Sequence, residues 1–268
     1  PQHLAVIPSA GEDHTEVAPR PRVVVLSTGD ELRPAGEALQ HGQIHDSNGP
    51  MLAALVAAVG AELVEVAHVR DDAGEVARVL ERAVATADAV ITTGGVSAGA
   101  YDVVKAALIE AGEVTFDKVA MQPGKPQGFG LLGERGVPVF TLPGNPMSTL
   151  VSFWVFVAPA LAHMSGRPAP VWRRGVVRGP GWTCPRGRAQ YARVHAVRGA
   201  DGELAIRANA RQGSHHLGEL GEANALARVP REARQVETGE MLDVLVLDGP
   251  IDAPLAGAYD ENVADEKE

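Results

Sequence analysis

Glu31, Asp71 and Asp102 each stand just after a β-branched run and beside glycine or other small or acidic residues. Carboxylates set around glycine N–H groups can hold Mg²⁺ through one or two oxygens and let it bridge to a phosphate. The fullest example is Ile91-Thr92-Thr93-Gly94-Gly95-Val96-Ser97-Ala98-Gly99-Ala100-Tyr101-Asp102, where an apolar run stops at glycines and a helix-like segment follows. Glycines let the backbone approach a ligand, and a helix start offers free N–H groups to an anion. Asp102 adds an acceptor-only carboxylate. Three more segments read the same way: Ser27-Thr28-Gly29-Asp30-Glu31-Leu32, Arg70-Asp71-Asp72 and Pro143-Gly144-Asn145-Pro146. These acids could equally be helix caps; Asp72 and Ser47 are read as caps, whereas Glu31 lies well upstream of the next helix. Lys118 and Lys125 flank the Pro123-Gly124 turn. Either ammonium could meet a phosphate or another oxyanion, a solvated surface lysine being the ordinary alternative. No nucleophile stands out, since Ser97 has no histidine at recognisable spacing and Cys184 sits between Thr183 and Pro185. His215 and His216, adjacent on an extended chain, would point apart, so a metal site with His195 is not favoured.

Bulk properties narrow the classes of partner. The chain has 268 residues, 45% of them hydrophobic, enough for one large or two modest cores. A formal net charge of -10 argues against a nucleic acid or an anionic membrane as main partner, while leaving room for a local basic pocket. One cysteine excludes an intramolecular disulfide and a cysteine-based zinc cage, as suits a reducing compartment. No stretch reads as long enough to cross a bilayer, so a soluble, cytoplasmic protein is expected.

The residues above need elements to hold them. From Arg22 to Met164, β-branched runs alternate with Ala/Leu/Glu-rich segments, the pattern of strands joined by crossover helices. Strands are predicted at 23–27, 63–68, 89–92, 114–119, 127–131 and 139–142, and helices at 51–59, 73–86 and 103–111. Three crossovers predict a largely parallel sheet, with ligands outside the carboxyl ends of its strands. The apolar segment 146–164 reads as a buried helix. After a linker at 165–170, short alternating segments at 174–178, 189–197, 203–208, 225–229 and 242–247 predict a small β-barrel or sandwich. The expected organisation is a leader at 1–20 left from an upstream region, an α/β domain at 21–166, a β domain at 167–250 and an acidic disordered tail at 251–268.

In order and density, Ser-Thr-Gly-Asp-Glu-Leu at 27–32, Asp-Ser-Asn at 46–48, Arg-Asp-Asp at 70–72, Gly-Gly-Val-Ser-x-Gly-x-x-Asp at 94–102, Gln-Pro-Gly-Lys-Pro at 122–126 and Leu-Pro-Gly-Asn-Pro at 142–146 resemble the molybdopterin molybdenumtransferases. This is the MoeA family, related to the C-terminal domain of gephyrin. The resemblance implies a three-layer, mostly parallel α/β domain of the molybdopterin-binding, MogA-like type followed by a small all-β barrel. It implies insertion of molybdate into adenylylated molybdopterin with release of AMP and a divalent cation, Mg²⁺ or another. Glu31, Asp71 and Asp102 would place the metal and the AMP phosphate, and Lys118 would sit at the phosphate or molybdate. Thr28, Gly29, Asp30, Gly94, Gly95, Ser97, Gly99, Lys125, Pro143, Gly144, Asn145 and Pro146 would cradle the pterin and pyrophosphate, with Arg193 and Ser214 binding oxyanion or pterin. The family normally carries two further N-terminal domains that form a homodimer and complete the site. Gln122 stands where some relatives carry lysine. Competing readings are a molybdopterin adenylyltransferase, whose central loop reads Gly-Gly-Thr-Gly where this chain has Gly94-Gly95-Val96-Ser97, a nucleotide-pyrophosphate hydrolase resembling the competence-damage-inducible proteins, and a non-catalytic gephyrin-like scaffold.

Overall fold

The computed structural model describes residues 2–94, 103–199, 202–209, 218 and 221–247. After α1 (Gln2–Ser9), β1 (Arg22–Thr28) leads through the short parallel pair β2 (Leu32–Arg33) and β3 (Ile44–His45) into α2 (Asn48–Ala58). There follow β4 (Glu62–Val69), α3 (Ala73–Thr86), β5 (Ala89–Thr93), α4 (Val103–Ala111), β6 (Gly112–Lys118), β7 (Met121–Gln122), β8 (Pro126–Leu132) and β9 (Val137–Leu142). One six-stranded sheet runs in the order β4-β1-β5-β9-β8-β6. Alternation along β1 sends Val23 and Val25 into a core with Leu52, Val56, Val151 and Phe153 on one face. Val24 and Leu26 meet Val76, Leu80 and Leu108 on the other. Helices on both faces make the expected three layers.

The sheet is mixed. β4, β1, β5 and β9 are parallel, β8 is reversed, and β6, antiparallel to β8, points the same way as the other four, so the largely parallel sheet expected from three crossovers holds with one reversed strand. The turns that join β6 to β8 and β8 to β9 are too short for a crossover, which leaves only hairpin geometry. The reversal still brings Lys118, at the end of β6, and Pro126, at the start of β8, to the edge where the parallel strands end.

Two details of the helices also differ from the sequence reading. Asp72 caps α3 as expected, accepting from Glu75 N–H at 2.8 Å. Ser47 makes no capping bond. Asp46 does so instead, its Oδ1 accepting from Asn48 and Gly49 N–H at 2.9 and 3.0 Å. Residues 146–164 form one continuous run: α5 (Pro146–Ser152), a π turn (Phe153–Val157) and α6 (Ala158–Met164). Pro159 has no N–H to give to the preceding turn, and the wider π turn accommodates that loss. By length and apolarity this run does reach what a membrane span needs, contrary to the expectation that no stretch would. Its apolarity is accounted for by packing, with Phe153, Val157 and Leu161 fully buried in the first core.

Beyond it, β10 (Arg173–Val177), β11 (Trp182–Thr183), β12 (Ala189–Arg198), β13 (Leu204–Ala208), β14 (Ala225–Val229), β15 (Gln235–Val236) and β16 (Met241–Val246) follow. Five of them close a barrel, β13-β10-β16-β14-β12 and back to β13. Small interior side chains, among them Ala192, Ala196, Ala225 and Ala227, let so few strands close around Val194, Ile206 and Val244. Cys184 is buried here and burial pushes its thiol up, which suits packing rather than nucleophilic work. Two features join barrel and sheet: Leu226 and Leu245 pack into the first core, and β7 pairs in parallel with β12.

Candidate active site

The carboxyl edge of the sheet is assembled by side chains that tie successive strand ends together. At the end of β1, buried Thr28 donates its hydroxyl to Thr93 O at 3.2 Å, and Gly29 N–H donates to Val69 O at 3.3 Å. Asp30 Oδ1 accepts from Asp71 N–H at 3.2 Å, linking the loops after β1 and β4. The Glu31 carboxylate folds back over Gly29, so closely that a Cβ there would lie 2.6 Å from Oε2. Any other residue would displace the acid.

Gly94, at the end of β5, has φ +93°, and a Cβ on it would lie 2.7 Å from Thr28 O. Its N–H donates to Leu142 O at 3.3 Å. Gly144 faces it across the edge. Asn48, at the start of α2, is the clamp, with Nδ2 donating to Thr93 Oγ1 at 2.8 Å and to Gly144 O at 2.7 Å. Asn145 caps α5 by accepting from Met147 N–H at 3.1 Å, and Thr149 donates to Pro143 O at 2.6 Å. Asn48 Oδ1 and Ser27 Oγ are buried here without a partner among the described residues.

The structure therefore brings together Thr28, Gly29, Asp30, Glu31, Asp71, Gly94, Pro143, Gly144, Asn145 and Pro146 as the sequence predicts. Lys118 and Lys125 share the edge but stand at its other end, exposed, with Val119 N–H donating to Lys125 O at 2.8 Å to close their hairpin. Glu31 follows β1 and Lys125 precedes β8, three strand spacings away or about 14 Å. A small anion cannot touch both ends; an extended ligand can. Arg193 is not on the edge but on β12, in register with Leu226 at the barrel–sheet junction, and only 2% exposed. Gly95, Ser97, Gly99, Asp102 and Ser214 lie outside the described residues, as do His215 and His216.

Among the described residues no three potential ligands cluster as a metal site. Glu31 and Asp71 are the described part of the expected set, and their oxygens are the hard donors that Mg²⁺ takes. Sequence reading assigned no site role to Asp46 and Asn48, although Asp46 stands just before α2 and Asn48 opens it. It also passed over Arg188, whose position one residue before a barrel strand carries no signal of its own.

Residues 24–163 match the family described as a probable molybdopterin binding domain, and residues 178–247 match the MoeA C-terminal region, domain IV. The chain is 43% identical over 251 residues to molybdopterin molybdenumtransferase 2 of Mycobacterium tuberculosis, covering 91% of this chain and 61% of that protein. It is 36% identical over 257 residues to the molybdopterin molybdenumtransferase of a Nostoc species, covering 92% and 57%. The molybdopterin biosynthesis MoeA protein of Pyrococcus horikoshii superposes with a TM-score of 0.76 at 29% identity, over 92% of this chain and 60% of that one. The chain thus spans about three-fifths of the length of these relatives. With its first domain and its barrel both matched, the chain belongs to the molybdopterin-binding domain family, in the branch that joins this domain to a MoeA C-terminal region.

Proposed function

We propose that the carboxyl edge binds adenylylated molybdopterin and that the protein inserts molybdate into it, releasing AMP. The observation that carries this reading is the division of one edge into an acidic end, a floor of small residues and a cationic end, in a chain whose relatives are named molybdopterin molybdenumtransferases. A nucleotide joined to a pterin is long enough to lie along such an edge. On this reading Glu31, Asp71 and Asp102 hold a divalent cation, Mg²⁺ by their chemistry, which when bound offers positive charge to the phosphate oxygens. Thr28, Gly29, Asp30 and the Gly94 and Gly144 turns leave room for the ligand backbone to lie close, and main-chain N–H groups at the helix starts face its phosphates. Lys118 and Lys125 receive the oxyanion, molybdate or the pterin phosphate, and Arg193 and Ser214 are assigned to oxyanion or pterin binding by the family resemblance alone. A homodimer of the full-length protein and a cytoplasmic location belong to the same reading.

The test is AMP release from adenylylated molybdopterin with Mg²⁺ present and molybdate added or omitted. Release that requires molybdate is the expected result. Release without it would make the protein a pyrophosphate hydrolase, and formation of the adenylylated compound from molybdopterin and ATP would make it the adenylyltransferase. Tight binding with no release under any condition would leave a scaffold.

A further inference from the structure

The cationic end of the edge contains one charge that does not come from the sheet. β7 and β12 pair through Met121 with Ala189 and Gln122 with Gln190, and Ala189 N–H donates to Ala120 O at 2.9 Å. This pairing delivers the residue just before β12, Arg188, to the hairpin that carries Lys118 and Lys125. Arg188 Nη1 donates to Gln122 Oε1 at 3.3 Å, both side chains being half-buried. The partner is a neutral amide, so the guanidinium is steered without being neutralised.

Several arginines elsewhere on the molecule are compensated, while others, such as Arg33, Arg78 and Arg167, meet only carbonyl oxygens among the described residues. Arg22, Arg82, Arg135, Arg174, Arg178 and Arg228 each lie within 4.0 Å of a carboxylate. Among the described residues, no carboxylate stands at that distance from Lys118, Lys125 or Arg188. Three cations gathered by one short strand pair, in a chain of net charge -10, can attract an anion to this end of the edge. Arginine has five N–H donors in a fixed fork, of which the bond to Gln122 uses one. The remainder suit two oxygens of a tetrahedral oxyanion.

We propose that Arg188 is a further anion-binding residue of the active site, supplied by the barrel and aimed by Gln122, which takes molybdate or the phosphate of the substrate alongside Lys118 and Lys125. The proposal rests on the reading of this edge as the substrate site, and its test does not depend on turnover. Equilibrium dialysis of the whole chain would be run with molybdate alone and, separately, with AMP, for the wild type, Arg188→Ala and Arg188→Gln. The glutamine variant removes the charge yet keeps an amide donor near Gln122. Thermal melts show that each variant is folded.

The expected result is a loss of about tenfold or more in affinity for one of the two probes, as removal of a charge-assisted contact gives. Loss for molybdate alone identifies the oxyanion as molybdate, and loss for AMP alone identifies it as a phosphate. Unchanged affinity for both in a folded variant, or no binding of either by the wild type, overturns the assignment. Molybdate-dependent AMP release by the wild type, measured in parallel, reports on the insertion reading independently. Its presence with unchanged binding in Arg188→Ala would remove Arg188 and keep the activity; its absence with weakened binding would do the reverse.

Discussion

The two ends of the carboxyl edge are built by opposite means. The acidic end uses parallel strands, β4 and β1, whose loops turn back toward crossover helices and are fixed by a main-chain bond, Gly29 N–H to Val69 O, and by Asp71 N–H donating to the Asp30 side chain at Oδ1. The cationic end uses an antiparallel hairpin and borrows a strand partner and a charge from the barrel. At about 14 Å apart they are separated by more than the Debye length of roughly 8 Å at physiological salt, so neither cancels the other. One edge can thus attract both a cation and an oxyanion.

That contrast can be broken at either end. Asp102→Ala is expected to abolish AMP release while leaving the melting temperature nearly unchanged, and Glu31→Gln and Asp71→Asn to lower kcat roughly a hundredfold, as loss of electrostatic stabilisation at a reacting phosphate does. Their apparent requirement for Mg²⁺ should rise in the same assays. Lys118→Ala should cost about tenfold and act on the molybdate concentration needed for half-maximal rate. If acid and lysine variants shift the same parameter, the two ends are not distinct.

Packing effects come next. Leu226→Ala removes a side chain buried where barrel and sheet share a core, at a cost of about 3 kcal/mol in urea unfolding, and should loosen the cationic end first. Gly94→Ala meets Thr28 O and a positive φ together, a cost of about 2 kcal/mol that a thermal melt would register. It bears on the acidic half of the edge.

The smallest effect lies on the barrel surface. Hydrogen bonds from Arg228 and Arg174 hold the Asp243 carboxyl below its ordinary range. A lowered folded-state value contributes stability that is complete above the unfolded pKa, about 3.9, and is lost as pH falls through the lower folded value. Asp243→Asn should therefore flatten the acid limb of stability against pH below about pH 4 and leave neutral-pH activity untouched.

Much of this was legible in the chain. β-branched runs located the strands because burial on both faces requires them, and Asp72 announced α3 because a carboxylate before a helix finds free N–H groups. What escaped depends on distant partners. The reversal of β8 is set by the short turns on either side of it rather than by its residues. Asp46 in place of Ser47 as the cap is a matter of which side chain reaches two N–H groups. Among the described site residues, Arg188 became visible only when β7 met β12, because nothing in Arg-Gly-Arg-Ala at 186–189 distinguishes it from a surface turn.

The pairing of β7 with β12 has a bearing on how the ligand is met. For the barrel to swing away, the Ala189 to Ala120 bond must break and Leu226 and Leu245 must be uncovered. Hinge closure is thereby opposed at this end of the molecule, and the backbone positions that carry Lys118, Lys125 and Arg188 are held relative to one another before anything binds. On the proposed reading, an arriving oxyanion would spend little of its binding energy on ordering this backbone.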